Sequence, residues 1–178
     1  MSERSRRRRV GPLRLAIGSV ILLVLFGIWG LFLTGELSVQ KVGSGSMEPT
    51  FMEGDVLLMR RYHGGELKRG DLVIIESPDD EWAPLLKRIV AIPGDHVDNL
   101  TGVFMVNGRP SPPPNLNIET SGWAEDIIDL ELDFHEFYVM GDNRPRSYDS
   151  RDFGPINRSL ILGIPIWRTG PAGRRGPI

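Results

Sequence analysis

The chain has 178 residues, 40% of them hydrophobic and 25% charged, which is typical of one globular domain rather than of a disordered segment. It contains no cysteine, and this excludes disulfide bonds, thiolate metal sites and a cysteine nucleophile. Residues 1–14 hold six arginines and one acid, whereas the rest of the chain is acidic. A basic arm on an acidic body is not the pattern of a nucleic-acid-binding protein, so we expect no nucleic-acid partner.

Residues 15–33, LAIGSVILLVLFGIWGLFL, form a run of 19 residues without a charge. As a helix this run spans about 28 Å, close to the roughly 30 Å of a bilayer core. We predict a basic cytoplasmic arm at 1–14, a transmembrane anchor at 15–33 and an exported body, following the positive-inside tendency. The alternative is a cleavable signal peptide, but its apolar core would be shorter, and residues 34–38 lack a small-residue cleavage pattern.

The body alternates strand-like runs with turn signals. After a juncture at 34–42 the runs are residues 55–59, 71–75, 85–92, 103–106 and 136–140. Pro93-Gly94 ends the third run, and Asn107-Gly108 after the fourth is a strong hairpin signal. Long helical periodicity is missing from these segments, so we predict a mostly β fold of antiparallel coiled sheets or a β-barrel-like domain at 43–169, with a tail at 170–178.

A loop rich in glycine and serine, residues 43–50, is the first chemical candidate. Small neighbours leave the hydroxyl of Ser46 open to a substrate, and Gly45 allows backbone N–H groups to converge on one point, as an oxyanion requires. The same composition is also that of a plain linker. The loop lacks the Gly-Lys-Ser/Thr ending of a phosphate loop and the second glycine of a Gly-x-Ser-x-Gly elbow.

The run at 85–92 supplies a candidate base, Lys87. Alternation places Lys87 on one face with Leu85 and Ile89 and Arg88 on the other, and both faces of the run are otherwise apolar. Desolvation lowers the pKa of a lysine, and a base acting near neutral pH needs a drop of roughly 3 units. The alternative is a lysine whose ammonium group reaches solvent.

Four blocks in the chain resemble those of the signal peptidase I family, in family order and behind an N-terminal anchor. They are SGSMEPTF at 44–51, GDLV at 70–73, KRIVAIPGD at 87–95, and GDNR with SYDSR at 141–144 and 147–151. Ala91 and Pro145 depart from the family pattern.

The resemblance implies a membrane-bound serine endopeptidase with catalytic Ser46 and Lys87 and without metal or cofactor. It also implies an oxyanion hole formed by the Ser44 hydroxyl and the Ser46 N–H. The residues implied to orient or support the base are Ser147, Asp149, Arg88 and Arg151.

The partners implied by the resemblance are exported preproteins whose signal peptides have small residues at −1 and −3, together with the lipid bilayer. The implied location is the plasma (inner) membrane, with the N-terminus in the cytoplasm and the catalytic domain outside; the oligomeric state stays open. Trp82, Trp123 and Trp167 are interpreted either as membrane-interface contacts or as buried packing. An inactive tethered binding protein and a self-cleaving repressor are the competing functions.

Overall fold

The computed structural model describes residues 12–78, 84–100, 103–111, 127–170 and 174–178. The chain divides into two compact units, residues 1–37 and 38–178. Its helices are α1 (Pro12–Leu33) and α2 (Ser150–Phe153), with short 3₁₀ turns at Gly45–Met47, Arg144–Arg146 and Arg158–Leu160. Its strands are β1 (Leu37–Lys41), β2 (Val56–Arg61), β3 (Leu72–Ile75), β4 (Leu85–Ala91), β5 (His96–Asp98), β6 (Met105–Val106), β7 (Arg109–Pro110), β8 (Asp129–Glu131), β9 (Glu136–Met140), β10 (Ile156–Asn157), β11 (Ile161–Thr169) and β12 (Gly176–Pro177).

The first unit consists mainly of α1, which is apolar on all sides. Its 22 residues give a helix of about 33 Å, and its large side chains, such as Leu22 and Phe26, are exposed. A helix that is hydrophobic all round needs an apolar environment on every face. Residues Leu13–Leu33 are long and apolar enough to cross a membrane, so the predicted anchor has the properties of a transmembrane helix.

The second unit contains two sheets. The larger has the order β1-β2-β11-β3-β4-β9-β10, with β12 also paired to β11, and the smaller has the order β7-β6-β5-β8. The ladders joining β2, β11, β3, β4, β9 and β10 are antiparallel. Strands β3, β4 and β9 pack a buried cluster that includes Val73, Ile89 and Val139. These observations confirm the predicted mostly β fold with one N-terminal apolar helix.

The predicted strand runs correspond to β2, β3, β4 and β9, and to β6 for part of the fourth run. The hairpin signal is also confirmed, because Asn107 and Gly108 both have positive φ, 51° and 68°, between β6 and β7. The stretch 34–42, expected to be a juncture, contains β1, and the expected tail contains β12. β1 contains only two apolar residues, Leu37 and Val39, and β12 consists of Gly176 and Pro177, so neither segment has a run of apolar residues like those that indicated the other strands.

The longest strand, β11, was not predicted, because Gly163 and Pro165 interrupt its pattern. The structure explains both residues. The register on β2 shifts just after Pro165, and proline is accepted in strands at such irregularities. A Cβ on Gly163 would lie 2.6 Å from the Arg60 carbonyl oxygen on β2, so glycine is required where β11 approaches β2.

Candidate active site

Lys87 lies in the middle of β4, where its side chain is buried. Lys87 is 2% exposed. Val73 on β3 lies opposite it in the antiparallel ladder. Burial is the main cause that lowers the pKa of Lys87 to about 8, while the charge of Asp149 acts in the opposite direction. The Nζ atom donates a hydrogen bond of 3.0 Å to Ser147 Oγ. The predicted desolvated lysine is therefore found at this position.

Ser46 sits on the 3₁₀ turn Gly45–Met47 and is 8% exposed. Met47 anchors the turn to the core, because its side chain is buried in a cluster with Val42, Phe51 and Leu57. The Ser44 hydroxyl donates to Ser46 Oγ at 3.2 Å. Ser44 and Ser46 both line the groove described below.

Asn143 holds the backbone of the same turn from the opposite side. Its N–H donates to the Ser46 carbonyl at 2.9 Å, and its Nδ2 donates to the Gly45 carbonyl at 3.0 Å. With these two carbonyls bonded, the peptide planes at Gly45 and Ser46 are held in one orientation. No role was predicted for Asn143 from the sequence, although the residue falls within a family-like block.

Gly141 brings the end of β9 against both Ser46 and Ser147. A Cβ at residue 141 would lie 2.2 Å from Ser147 Oγ and 2.5 Å from the Ser46 carbonyl oxygen. Such separations are too short for any side chain. Only glycine at residue 141 allows Ser147, which accepts the hydrogen bond from Lys87, and the Ser46 turn to lie this close to β9. Glycine is required here by contacts with Ser46 and Ser147 and not by a positive φ. Because the contact with Ser46 comes from a distant part of the chain, the role of Gly141 could not be inferred from the sequence.

Asp149 organises the segment that carries Ser147. Its carboxylate accepts from the Gly141 N–H at 2.9 Å and from Arg151 Nε at 2.8 Å. It also caps α2 in a capping box with Asp152. Burial alone would raise the pKa of Asp149, but hydrogen bonds from Arg151, Gly141 and Ser147 hold that pKa below its ordinary value. The Ser147 hydroxyl therefore links the Lys87 amine to a stable carboxylate.

Arg88 pairs with a different carboxylate, that of Asp142. Its guanidinium makes two hydrogen bonds to the Asp142 carboxylate, at 2.8 and 2.7 Å, and Asp142 also accepts from the Thr50 hydroxyl at 2.6 Å. The support expected from Arg88, Asp149 and Arg151 together is thus divided into two ion pairs, Arg88–Asp142 and Arg151–Asp149. The first pair connects β4 to the segment after β9, where Asp142 also accepts from Thr50 in the loop after Ser46. The second pair holds the Ser147 segment.

Ser46 and Lys87 open into one groove of about 720 Å³. Residues 40–44 and 84–87 line the groove, together with Arg146 and Tyr148. Its lining includes the apolar side chains of Val42, Met47, Leu57, Ile74, Leu85 and Leu86. The volume and the apolar lining are those of a site that holds a few residues of a ligand.

Comparisons with known proteins agree on one family. The family model described as signal peptidase, peptidase S26, matches residues 13–168. The chain belongs to the signal peptidase family. It is 31% identical over 137 residues to signal peptidase I V of Bacillus subtilis, covering 70% of this chain and 80% of that protein. It is 36% identical over 129 residues to signal peptidase I of Bacillus licheniformis, covering 66% and 68% of the two chains.

A solved signal peptidase I from Enterococcus faecalis is also similar, at 24% identity and a TM-score of 0.46, over 56% of this chain and 97% of that one. Membership of the signal peptidase family makes the chain a peptidase, and the groove beside Ser46 is its candidate active site. Within the described ranges, metal-ligating side chains do not gather in groups of three or more. Trp82 and Trp123 lie outside the described residues, while Trp167 on β11 is 43% exposed.

Proposed function

We propose that the chain is a membrane-anchored serine endopeptidase that removes N-terminal signal peptides from exported preproteins. Ser46 is the nucleophile and Lys87 its general base. The observation that carries the proposal is a dehydrated amine at Lys87, held by the Ser147 hydroxyl in the groove that Ser46 also lines. Pairs of serine and lysine are a known variant of the serine nucleophile with its base.

The pKa of Lys87 suits this role. With a pKa of about 8, about one tenth of the molecules carry a neutral amine at pH 7, compared with about one in a few thousand for an ordinary lysine. The neutral amine has one lone pair and two N–H groups. Because one N–H is donated to Ser147 Oγ, the direction of the lone pair is restricted, as a general base requires.

The reaction follows from these roles. Lys87 accepts the proton of Ser46 Oγ as the oxygen attacks the scissile carbonyl carbon. The Ser46 N–H and the Ser44 hydroxyl stabilise the oxyanion; Ser44, which donates to Ser46 Oγ at rest, turns to the new acceptor. The Lys87 ammonium then protonates the departing amine, the C–N bond breaks, and an ester on Ser46 remains. A water molecule, deprotonated by Lys87, hydrolyses the ester and releases the cleaved signal peptide.

The groove fits an extended peptide. Residues 85–87 pair with β3 on one side, while the ladder with β9 begins only at Arg88. A substrate strand added along residues 85–87 would place its backbone between them and residues 40–44, beside Ser46. The apolar lining is suited to apolar substrate side chains, and the family resemblance implies that the residues at −1 and −3 are small.

The membrane helix serves the same function. A signal peptide stays in the bilayer through its apolar core, so a tethered peptidase meets it at high effective concentration. With the arginine-rich arm in the cytoplasm, the catalytic domain lies on the outer side of the plasma membrane.

The catalytic assignment is tested by cleavage of a synthetic precursor by the full chain in detergent micelles. We expect Ser46→Ala to lower kcat by at least about 1,000-fold. The matched variant Ser44→Ala removes one oxyanion donor and keeps the nucleophile, so we expect a loss of about 100-fold. Cleavage by Ser46→Ala at the wild-type rate would exclude this serine as the nucleophile.

The topology is tested by single cysteines, since the chain has none of its own. We expect a cysteine at Phe134, which is 90% exposed, to react with an impermeant maleimide added to intact cells. A cysteine at Ser2 should react only after the membrane is opened. The reverse pattern would show that the catalytic domain faces the cytoplasm.

A further inference from the structure

The last described stretch, residues 174–178, reaches back to the loop that carries Ser46. It forms β12, which pairs with β11 so that Gly176 lies opposite Arg168. This stretch follows residue 168, where the match to the family model ends. The pairing delivers the side chain of Arg174 to Asp55, at the far end of the Ser46 loop.

Asp55 closes that loop. Its carbonyl accepts from the Val42 N–H at 2.8 Å, and the Gly54 N–H donates to the Val42 carbonyl at 2.8 Å. These two bonds join the ends of the segment 42–55, in which Ser46 lies. The Asp55 carboxylate also accepts from the Met52 N–H at 3.0 Å, so its position determines how the loop returns to β2.

The carboxylate of Asp55 is completely buried, with an exposure of 0%. Arg174 donates to it at 2.7 Å. A buried carboxylate is costly unless it is paired and hydrogen-bonded. The chain also passes close to this group at Gly170, where a Cβ would lie 2.5 Å from Asp55 Oδ1. Gly170 and Arg174 therefore both lie against the Asp55 carboxylate.

A second arginine from the same part of the chain holds the middle of the loop. Arg168 on β11 donates to the Thr50 carbonyl at 2.6 Å, and its guanidinium lies 5.3 Å from the centre of the Phe51 ring. Thr50 in turn donates to Asp142. Thus the loop is held at Thr50 and Phe51 from β11, and at Asp55 from the segment after it.

We propose that Arg174 is a positioning residue of the peptidase, whose ion pair with Asp55 holds the Ser46 loop in the geometry needed for attack. The inference rests on the proposed function, since it assumes that Ser46 is the nucleophile. Loss of the pair leaves a buried carboxylate without its cation, and the loop shifts as that group moves toward water. Displacements of about 1 Å at a reacting group can lower rates by 100-fold.

The test compares Arg174→Gln with Arg175→Gln in the full chain, using a synthetic precursor and expressing kcat per folded molecule from near-UV circular dichroism. Arg175 is a matched control, because it is exposed and donates to the Gly170 carbonyl at 3.1 Å. We expect Arg174→Gln to lower kcat by at least about 10-fold with KM within about twofold. Arg175→Gln should leave both constants within about twofold of wild type.

The double variant Asp55→Asn with Arg174→Gln removes both charges and keeps an acceptor for the Met52 N–H. We expect it to recover most of the kcat lost in the single variant. If Arg174→Gln does not fold, Arg174→Lys keeps a cation with a poorer fit, and we expect a kcat loss of about threefold at unchanged KM.

Wild-type kcat per folded molecule in Arg174→Gln, or in Arg174→Lys where that variant replaces it, would overturn the proposal. Equal losses in Arg174→Gln and Arg175→Gln would also overturn it, by showing a general effect of the tail. Wild type and Ser46→Ala are measured in the same assay. An inactive wild type or an active Ser46→Ala would refute the proposed function itself, independently of Arg174.

Discussion

Lys87 and Arg88 are adjacent on β4 and carry the same formal charge, but their surroundings differ. The Lys87 amine is buried and donates to a hydroxyl, that of Ser147, at 3.0 Å. The Arg88 guanidinium makes two hydrogen bonds to the carboxylate of Asp142 and a third, of 2.7 Å, to the Gly70 carbonyl. The two cations point to opposite sides of the strand, as its alternation requires.

The different partners of Lys87 and Arg88 give two neighbouring cations different properties. At Lys87 the cost of desolvation exceeds the attraction of Asp149, so the pKa is lowered to about 8 and a neutral amine is accessible. At Arg88 the carboxylate of Asp142 is in direct contact with the guanidinium, and the two groups form an ion pair. These surroundings are consistent with the proposed proton transfer by Lys87, and they give Arg88 a structural contact with Asp142, which also accepts from Thr50 in the Ser46 loop.

The largest expected effect distinguishes the two residues by activity. We expect Lys87→Met to lower kcat for a synthetic precursor by at least about 1,000-fold, because the general base is lost. The matched variant Arg88→Met should retain far more activity per folded molecule. Equal losses in the two variants would remove the distinction between a reactive and a structural cation.

The next effect is on stability at Arg88. Arg88→Met leaves the Asp142 carboxylate, 1% exposed, without its cation, and we expect the free energy of unfolding to fall by about 3 kcal/mol. Chemical denaturation of the full chain in micelles, followed by near-UV circular dichroism, measures it. The double variant with Asp142→Asn should recover part of the loss, and an unchanged unfolding midpoint in Arg88→Met would contradict the assignment.

Lys87→Met should change stability in the opposite direction. The folded protein lowers the pKa of Lys87 from 10.5 to about 8, so holding the protonated amine in the folded state costs about 3 kcal/mol at pH 7. This cost is fully present below pH 8, shrinks as the pH rises from about 8 to 10.5, and is absent above. We expect Lys87→Met to be more stable than wild type at pH 7, with the difference disappearing above pH 10.5. A less stable variant at pH 7 would show that the ammonium is well solvated.

The smallest effect concerns the contact that orients the amine. Because Lys87 must be neutral, we expect kcat of wild type to rise with pH through an acidic limb near pH 8. Ser147→Ala removes the hydroxyl that accepts from Nζ, and we expect kcat to fall by about 10-fold. A limb near pH 10.5 in wild type would mean that Lys87 is hydrated like a surface lysine.

Most of the candidate site residues were predicted from the resemblance to the signal peptidase family, and local patterns by themselves indicated only Ser46 and Lys87. The Ser46 loop has small residues on both sides, and the alternation along residues 85–92 indicated a lysine among apolar side chains. The roles of Gly141 and Asn143 could not be inferred in this way. Both depend on contacts with the Ser46 turn, about a hundred residues earlier in the chain, and a local pattern carries no information on such contacts.

By itself the sequence predicted the apolar helix and five of the twelve described strands, since these depend on composition and on runs of apolar residues. The serine and lysine proposed to react were identified by the resemblance of their blocks to a known family. Tertiary structure alone decided the pairing of Arg88 with Asp142 and the placement of β11 between β2 and β3. It also decided the fit of Arg174 to Asp55. These features depend on which strands become neighbours, and a charged or small side chain acquires its partner only when the sheet brings distant segments together.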